Sequence, residues 1–173
     1  MSPEQGSEQF APRSQQLIPE KDVKKKRVLF LCTHNSCRSQ MAEGIVNEEL
    51  GEAFEAFSAG TVATRVNPLA VKVLSEIGID ISGHESKALE RFAGESFDYV
   101  ITLCGSANEE CPLFFGGVRR VHIGFDDPSQ LPGEPEAVLP EYRRVRDRIR
   151  KEIVAYLGKD AGEPVVSGGR EQR

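Results

Sequence analysis

Cys32 and Arg38 bracket a short loop in "RVLFLCTHNSCRSQMAEGI", residues 27–45, where an apolar run gives way to a helix-forming stretch. In an open parallel α/β sheet, ligands bind beyond the carboxyl ends of the strands, where backbone N–H groups and a helix N-terminus converge. Thr33, His34, Asn35, Ser36 and Cys37 are therefore expected to wrap as a tight loop with inward N–H groups. The helix starting near Arg38 adds the positive end of its dipole. Such a loop suits a tetrahedral oxyanion, and Arg38 supplies a full charge on a planar fork that holds two anion oxygens. The same field favours a thiolate at Cys32, making it a nucleophile. Ser39 is placed to hydrogen-bond that sulfur, and Asn35 suits a left-handed backbone. Cys37 reads as a packing residue or spectator thiol, and His34 as a residue of the loop rim.

Two further cysteines, Cys104 and Cys111, lie far down the chain. Zinc knuckles favour Cys-x-x-Cys, whereas here four residues separate Cys32 from Cys37 and six separate Cys104 from Cys111, so no metal site is expected. A cytoplasmic disulfide is usually transient and catalytic. A second chemical signal is "GFDDPSQ", which sets Asp126 and Asp127 before Pro128. A carboxylic acid held over an oxyanion pocket protonates a departing oxygen, and the proline restricts the aspartate before it. Asp127 is the expected acid.

The elements that must position these groups alternate apolar runs with amphipathic stretches, as in an α/β fold with a four-stranded parallel sheet flanked by helices. Strands are expected at 27–32, 53–59, 97–104 and 118–124. Asn67 reads as an N-cap, with Pro68 at the first helical position and Leu69, Val73, Leu74 and Ile77 at helical spacing up to Gly78. Tyr142, Val145, Ile149, Ile153 and Leu157 make one apolar stripe of a last helix. Residues 1–24 are polar and aperiodic and are expected to be a disordered extension; 25–158 form the domain, and 159–173 a flexible tail.

The 173 residues, 39% hydrophobic and 28% charged, fit one globular domain. A net charge of −5 leaves no electrostatic footprint for nucleic acid. The run Lys24 to Arg27 reads as a solvated lead-in to a strand. No window is apolar enough to span a membrane, and the N-terminus has no signal-peptide core, so a cytoplasmic location is expected, as a monomer.

Cys-x5-Arg-Ser after the first strand and Asp-Pro after the last resemble the low-molecular-weight protein tyrosine phosphatase fold. With "CTHNSCRSQMAEG", "SAG", "NPLA", "GIDIS", "TLCGSANEECP" and "GFDDP", the chain resembles more closely the thioredoxin-coupled arsenate reductases built on that fold, from about Val28 to Leu157. The resemblance implies that Cys32 attacks arsenate, that Arg38 and the loop hold it, and that Asp127 protonates the leaving hydroxide. Cys104 would then attack Cys32 and release arsenite. Cys111 would next attack Cys104, and thioredoxin would reduce the final disulfide, with no bound cofactor. Were residues 104–111 helical, the two cysteines would stand about 10 Å apart along the axis, too far for a disulfide. The segment must then refold or already be a loop.

Two other functions would use the same loop. One is a tyrosine phosphatase, although Gln40 and Ser129 stand where such enzymes usually have proline and an aromatic residue, and the chain lacks tryptophan. The other is a non-catalytic oxyanion-binding or redox-sensor protein. A departure from the reductases concerns potassium, which some of them hold behind the loop. Asn35, Glu43 and Ser58 match, but Lys87 stands where an aspartate would complete the site. Its ammonium is expected to replace the ion, pairing with Glu43 and bracing Asn35.

Overall fold

The computed structural model describes residues 24–105 and 119–160. Four strands, β1 (Lys26–Cys32), β2 (Phe54–Gly60), β3 (Tyr99–Thr102) and β4 (Arg119–His122), form one sheet of order β2-β1-β3-β4. Every pairing is parallel, with Cys32 opposite Gly60 and Thr102 opposite His122. The central strand β1 is covered on both faces, which is why it reads as an unbroken apolar run rather than an alternating one. Val28 and Phe30 enter the larger core, with Ile101 and the helices. Leu29 and Leu31 point to the other face and pack with Val100, Leu89, Phe92 and Phe97.

Helices α1 (Arg38–Glu49), α2 (Pro68–Ser75) and α3 (Pro135–Gly158) bury their apolar faces on the larger core. Asn67 caps α2 as expected, its Oδ1 accepting from Leu69 N at 2.8 Å, an interaction worth about 1 kcal/mol. The Asn67 N–H also donates to Ser36 O at 2.9 Å, tying the cap to the loop after β1. Gly78 turns the chain with φ +80°, a conformation open to glycine.

Several boundaries differ from the sequence expectation, among them the end of β4, at His122 rather than residue 124. Strand β3 stops at Thr102 rather than residue 104, although Leu103 still donates to Leu31 O and accepts from Phe125 N. Helix α2 ends at Ser75, where a tight turn bonds Ile77 N to Leu74 O. Helix α3 begins at Pro135, well before Tyr142, because Val138 and Leu139 extend its buried stripe by a turn. Pro140 lies inside α3 and forgoes one helical hydrogen bond.

Candidate active site

Cys32 closes β1 at 3% exposure, and the chain then turns through residues 33–37 into α1. The turn requires a left-handed residue, and Asn35 takes it at φ 49°. Gly60 opposite allows the loop to lie against β2, since a Cβ there would sit 2.7 Å from both Asn35 N and Thr33 O. No side chain fits in that gap.

A directional chain of hydrogen bonds ends on the Cys32 sulfur. Gln40 Nε2 donates to Asn35 Oδ1 at 2.9 Å, to Asn35 O at 3.2 Å and to Glu85 O at 3.0 Å. Its Oε1 therefore faces His84 Nδ1, 3.1 Å away, which must donate. Asn35 Nδ2 donates to Ser39 Oγ at 2.9 Å. With its oxygen accepting there, Ser39 still has its proton available for Cys32 Sγ, which lies 2.8 Å away. Asn35, Ser39 and Gln40 have no exposed surface, so these bonds are shielded from competing water.

On the open side, Cys32, His34, Ser36, Cys37, Arg38, Asp127 and Ser129 line one small pocket. Arg38 Nη1 donates to Phe125 O at 3.0 Å and Nη2 to Asp127 Oδ2 at 3.2 Å. Asp127 Oδ1 accepts from Ser129 N at 3.0 Å and Ser129 Oγ at 2.6 Å. Both carboxylate oxygens are thus held over the pocket, a few ångströms from the arginine that would share an anion with them. Burial pushes the Cys37 thiol far up from its ordinary value, and the Asp127 and Cys32 charges add to the effect. Cys37 lines the pocket as a neutral thiol.

Thr33 and Asn35, although part of the loop, turn their side chains away from this pocket. Thr33 Oγ1 stands 3.3 Å from Cys104 Sγ, and Cys104 packs against the smaller core with Leu31. Cys111 lies outside the described residues.

A family model for low molecular weight phosphotyrosine protein phosphatases matches residues 27–163. The chain belongs to this phosphatase family. An arsenate reductase from Halalkalibacterium halodurans is 47% identical over 134 residues, 78% of this chain and 96% of the relative. One from Bacillus subtilis is 45% identical with the same coverage. Among solved structures, an arsenate reductase in an oxidized state matches with a TM-score of 0.68 at 31% identity, covering 78% of this chain and 98% of that one. A thioredoxin-dependent arsenate reductase of Corynebacterium glutamicum matches at 29% identity and a TM-score of 0.54, covering 78% and 63%.

Behind the loop, this member of the phosphatase family has a donor set that does not fit potassium. Ser58 Oγ donates to Glu43 Oε2, and Lys87 Nζ lies 3.8 Å from the same oxygen while donating to Glu85 O at 2.8 Å. A cation placed among these groups would meet an ammonium. The Lys87 side chain is 13% exposed, so it is folded inward rather than extended into solvent. Its contact with Asn35 comes from the backbone: Lys87 N donates to Asn35 Oδ1 at 2.8 Å. Gly60 N in turn donates to Lys87 O at 2.8 Å.

Gln40, His84 and Ser129 are site residues that sequence reasoning missed. The Asp-Pro-Ser spacing carried a signal for Ser129, since a serine two residues after an aspartate commonly closes such a turn. Nothing local marked His84, which lies 44 residues from Gln40.

Proposed function

We propose that this chain reduces arsenate to arsenite through Cys32, Cys104 and Cys111, with thioredoxin as electron donor, in the cytoplasm. The observation that carries the reading is the approach of Cys104 to Thr33, the residue that follows Cys32, at 3.3 Å from sulfur to hydroxyl. A phosphatase needs no second thiol there; a reductase does. The identities of 45–47% to arsenate reductases support the same reading.

Arsenate enters the pocket with its oxygens on the loop N–H groups and the Arg38 fork. Its negative charge draws Arg38 off Asp127. Cys32 Sγ, oriented by Ser39, attacks arsenic, and Asp127 gives its proton to the departing oxygen, which leaves as water or hydroxide. Cys104 then attacks Cys32 sulfur. The S–S bond forms, the S–As bond breaks, and its electron pair reduces arsenic from the +5 to the +3 state. Cys111 attacks Cys104 next, freeing Cys32, and thioredoxin reduces the Cys104–Cys111 disulfide by exchange.

A coupled assay with arsenate, thioredoxin, thioredoxin reductase and NADPH tests this. Arsenate-dependent NADPH oxidation is the expected result. Hydrolysis of aryl phosphates without NADPH oxidation would replace the reading by a phosphatase, and oxyanion binding without turnover by a binding or sensor protein.

A further inference from the structure

Resting on the oxyanion pocket of that reading but not on its thiol relay, we propose that Thr64 and Ser86 are positioning residues for the bound anion, which together hold the His34 carbonyl outward. Thr64 Oγ1 donates to His34 O at 3.2 Å, and Ser86 Oγ donates to the same oxygen at 3.0 Å. Ser86 Oγ also accepts from Thr64 N at 2.9 Å, so two segments far apart in sequence reach the loop as one unit.

The other carbonyls of the loop are anchored in the same sense. Thr33 O accepts from Val62 N at 3.0 Å and from Thr61 Oγ1 at 3.1 Å, Asn35 O from Gln40 Nε2, and Ser36 O from Asn67 N. None of these anchoring residues lines the pocket, whereas His34, Ser36 and Cys37 do. A trans peptide sets its N–H opposite its C=O, and no peptide bond among the described residues is cis. The N–H groups of residues 34–37 therefore point away from the anchors, and among the described residues nothing accepts from them. Unspent donors on one side of a loop that ends in Arg38 are the complement of an oxyanion.

The peptide between His34 and Asn35 most needs holding. Asn35 is left-handed at φ 49°, and a flip of that peptide, turning φ of Asn35 by about 180°, returns it to the extended backbone that an L-residue favours. The same flip carries His34 O to the side of the N–H groups, where its partial negative charge opposes an anion. Without anion, the loop thus has a second state that is locally favourable and binds poorly. Two hydroxyls on one oxygen select against it, because both bonds break on flipping.

The test is calorimetric titration of the full-length protein with inorganic phosphate, in the parent, Thr64→Val, Thr64→Val with Ser86→Ala, and Thr64→Ser. Valine keeps the branched shape of threonine without its hydroxyl. The double variant should bind phosphate roughly tenfold more weakly, as two ordinary hydrogen bonds are lost. Thr64→Val should fall between it and the parent, and Thr64→Ser should match the parent. Saturating arsenate draws the loop back to the anion-binding state, so in the coupled assay KM should rise while kcat holds, a split that general loss of folding does not give. Parental phosphate affinity in the double variant would overturn the inference, as would Thr64→Ser binding as weakly as Thr64→Val, or a fall in kcat at unchanged KM. A parent protein that binds no phosphate would instead overturn the oxyanion reading itself, a result distinguishable from equal affinities in parent and variants.

Discussion

The thiol of Cys104 lies 3.3 Å from the hydroxyl of Thr33, the residue directly after Cys32. Parallel pairing of β1 with β3 brings this about, since Leu31 is opposite Thr102 and both chains leave the sheet at the same edge. The second thiol therefore stands against the residue that follows Cys32 before any ligand arrives.

From that approach, Cys32 and Cys104 are expected to react without help from Cys111. Cys111→Ser should release about one arsenite per enzyme and then stall as the Cys32–Cys104 disulfide. Quantifying arsenite against enzyme, with mass analysis of the disulfide, checks this. Undiminished multiple turnover with thioredoxin would sink the assignment of Cys111.

Cys37→Ser should leave most activity intact. Burial keeps this thiol neutral, and it occupies the N-cap position of α1 without a side-chain cap bond, where serine is well tolerated. Steady-state turnover of the folded variant decides. Its loss would mean that Cys37 takes part in the chemistry.

Asp127→Asn should slow arsenate consumption by roughly 10² to 10⁴, the usual contribution of a general acid. Asp126→Asn should matter far less. The Asp127 carboxylate faces the pocket, bonded to Arg38 and Ser129, whereas the Asp126 side chain is 77% exposed and reaches toward Arg144 at 3.4 Å. Single-turnover rates of the two variants would expose a wrong choice if their order were reversed.

Melting temperature and activity should be equal in potassium and sodium at matched ionic strength. The Lys87 ammonium already stands 3.8 Å from the Glu43 carboxylate, where it excludes a second cation. Lys87→Asp should acquire a potassium response. Clear stabilisation of the unaltered protein by potassium over sodium would show that the ion binds despite the lysine.

Much of this protein is determined by short-range features of the sequence. The Cys32 loop is continuous in the chain, bounded by an apolar strand and a helix start, so its position and the role of Asn35 follow from local backbone preferences. The Asn67–Pro68 helix start and the buried stripe from Tyr142 to Leu157 are equally local, resting on cap chemistry and on a period near 3.6. The tertiary structure decided what lies far apart in sequence. Which side chain completes the chain of bonds from His84 through Gln40 to Cys32 depends on how the segment before Lys87 lies against α1. The approach of Cys104 to Thr33 and the pairing of Thr102 with His122 depend on sheet register. Hydrophobic periodicity specifies which face of an element is buried, not which residues of two elements meet, because that is settled by packing over the whole core.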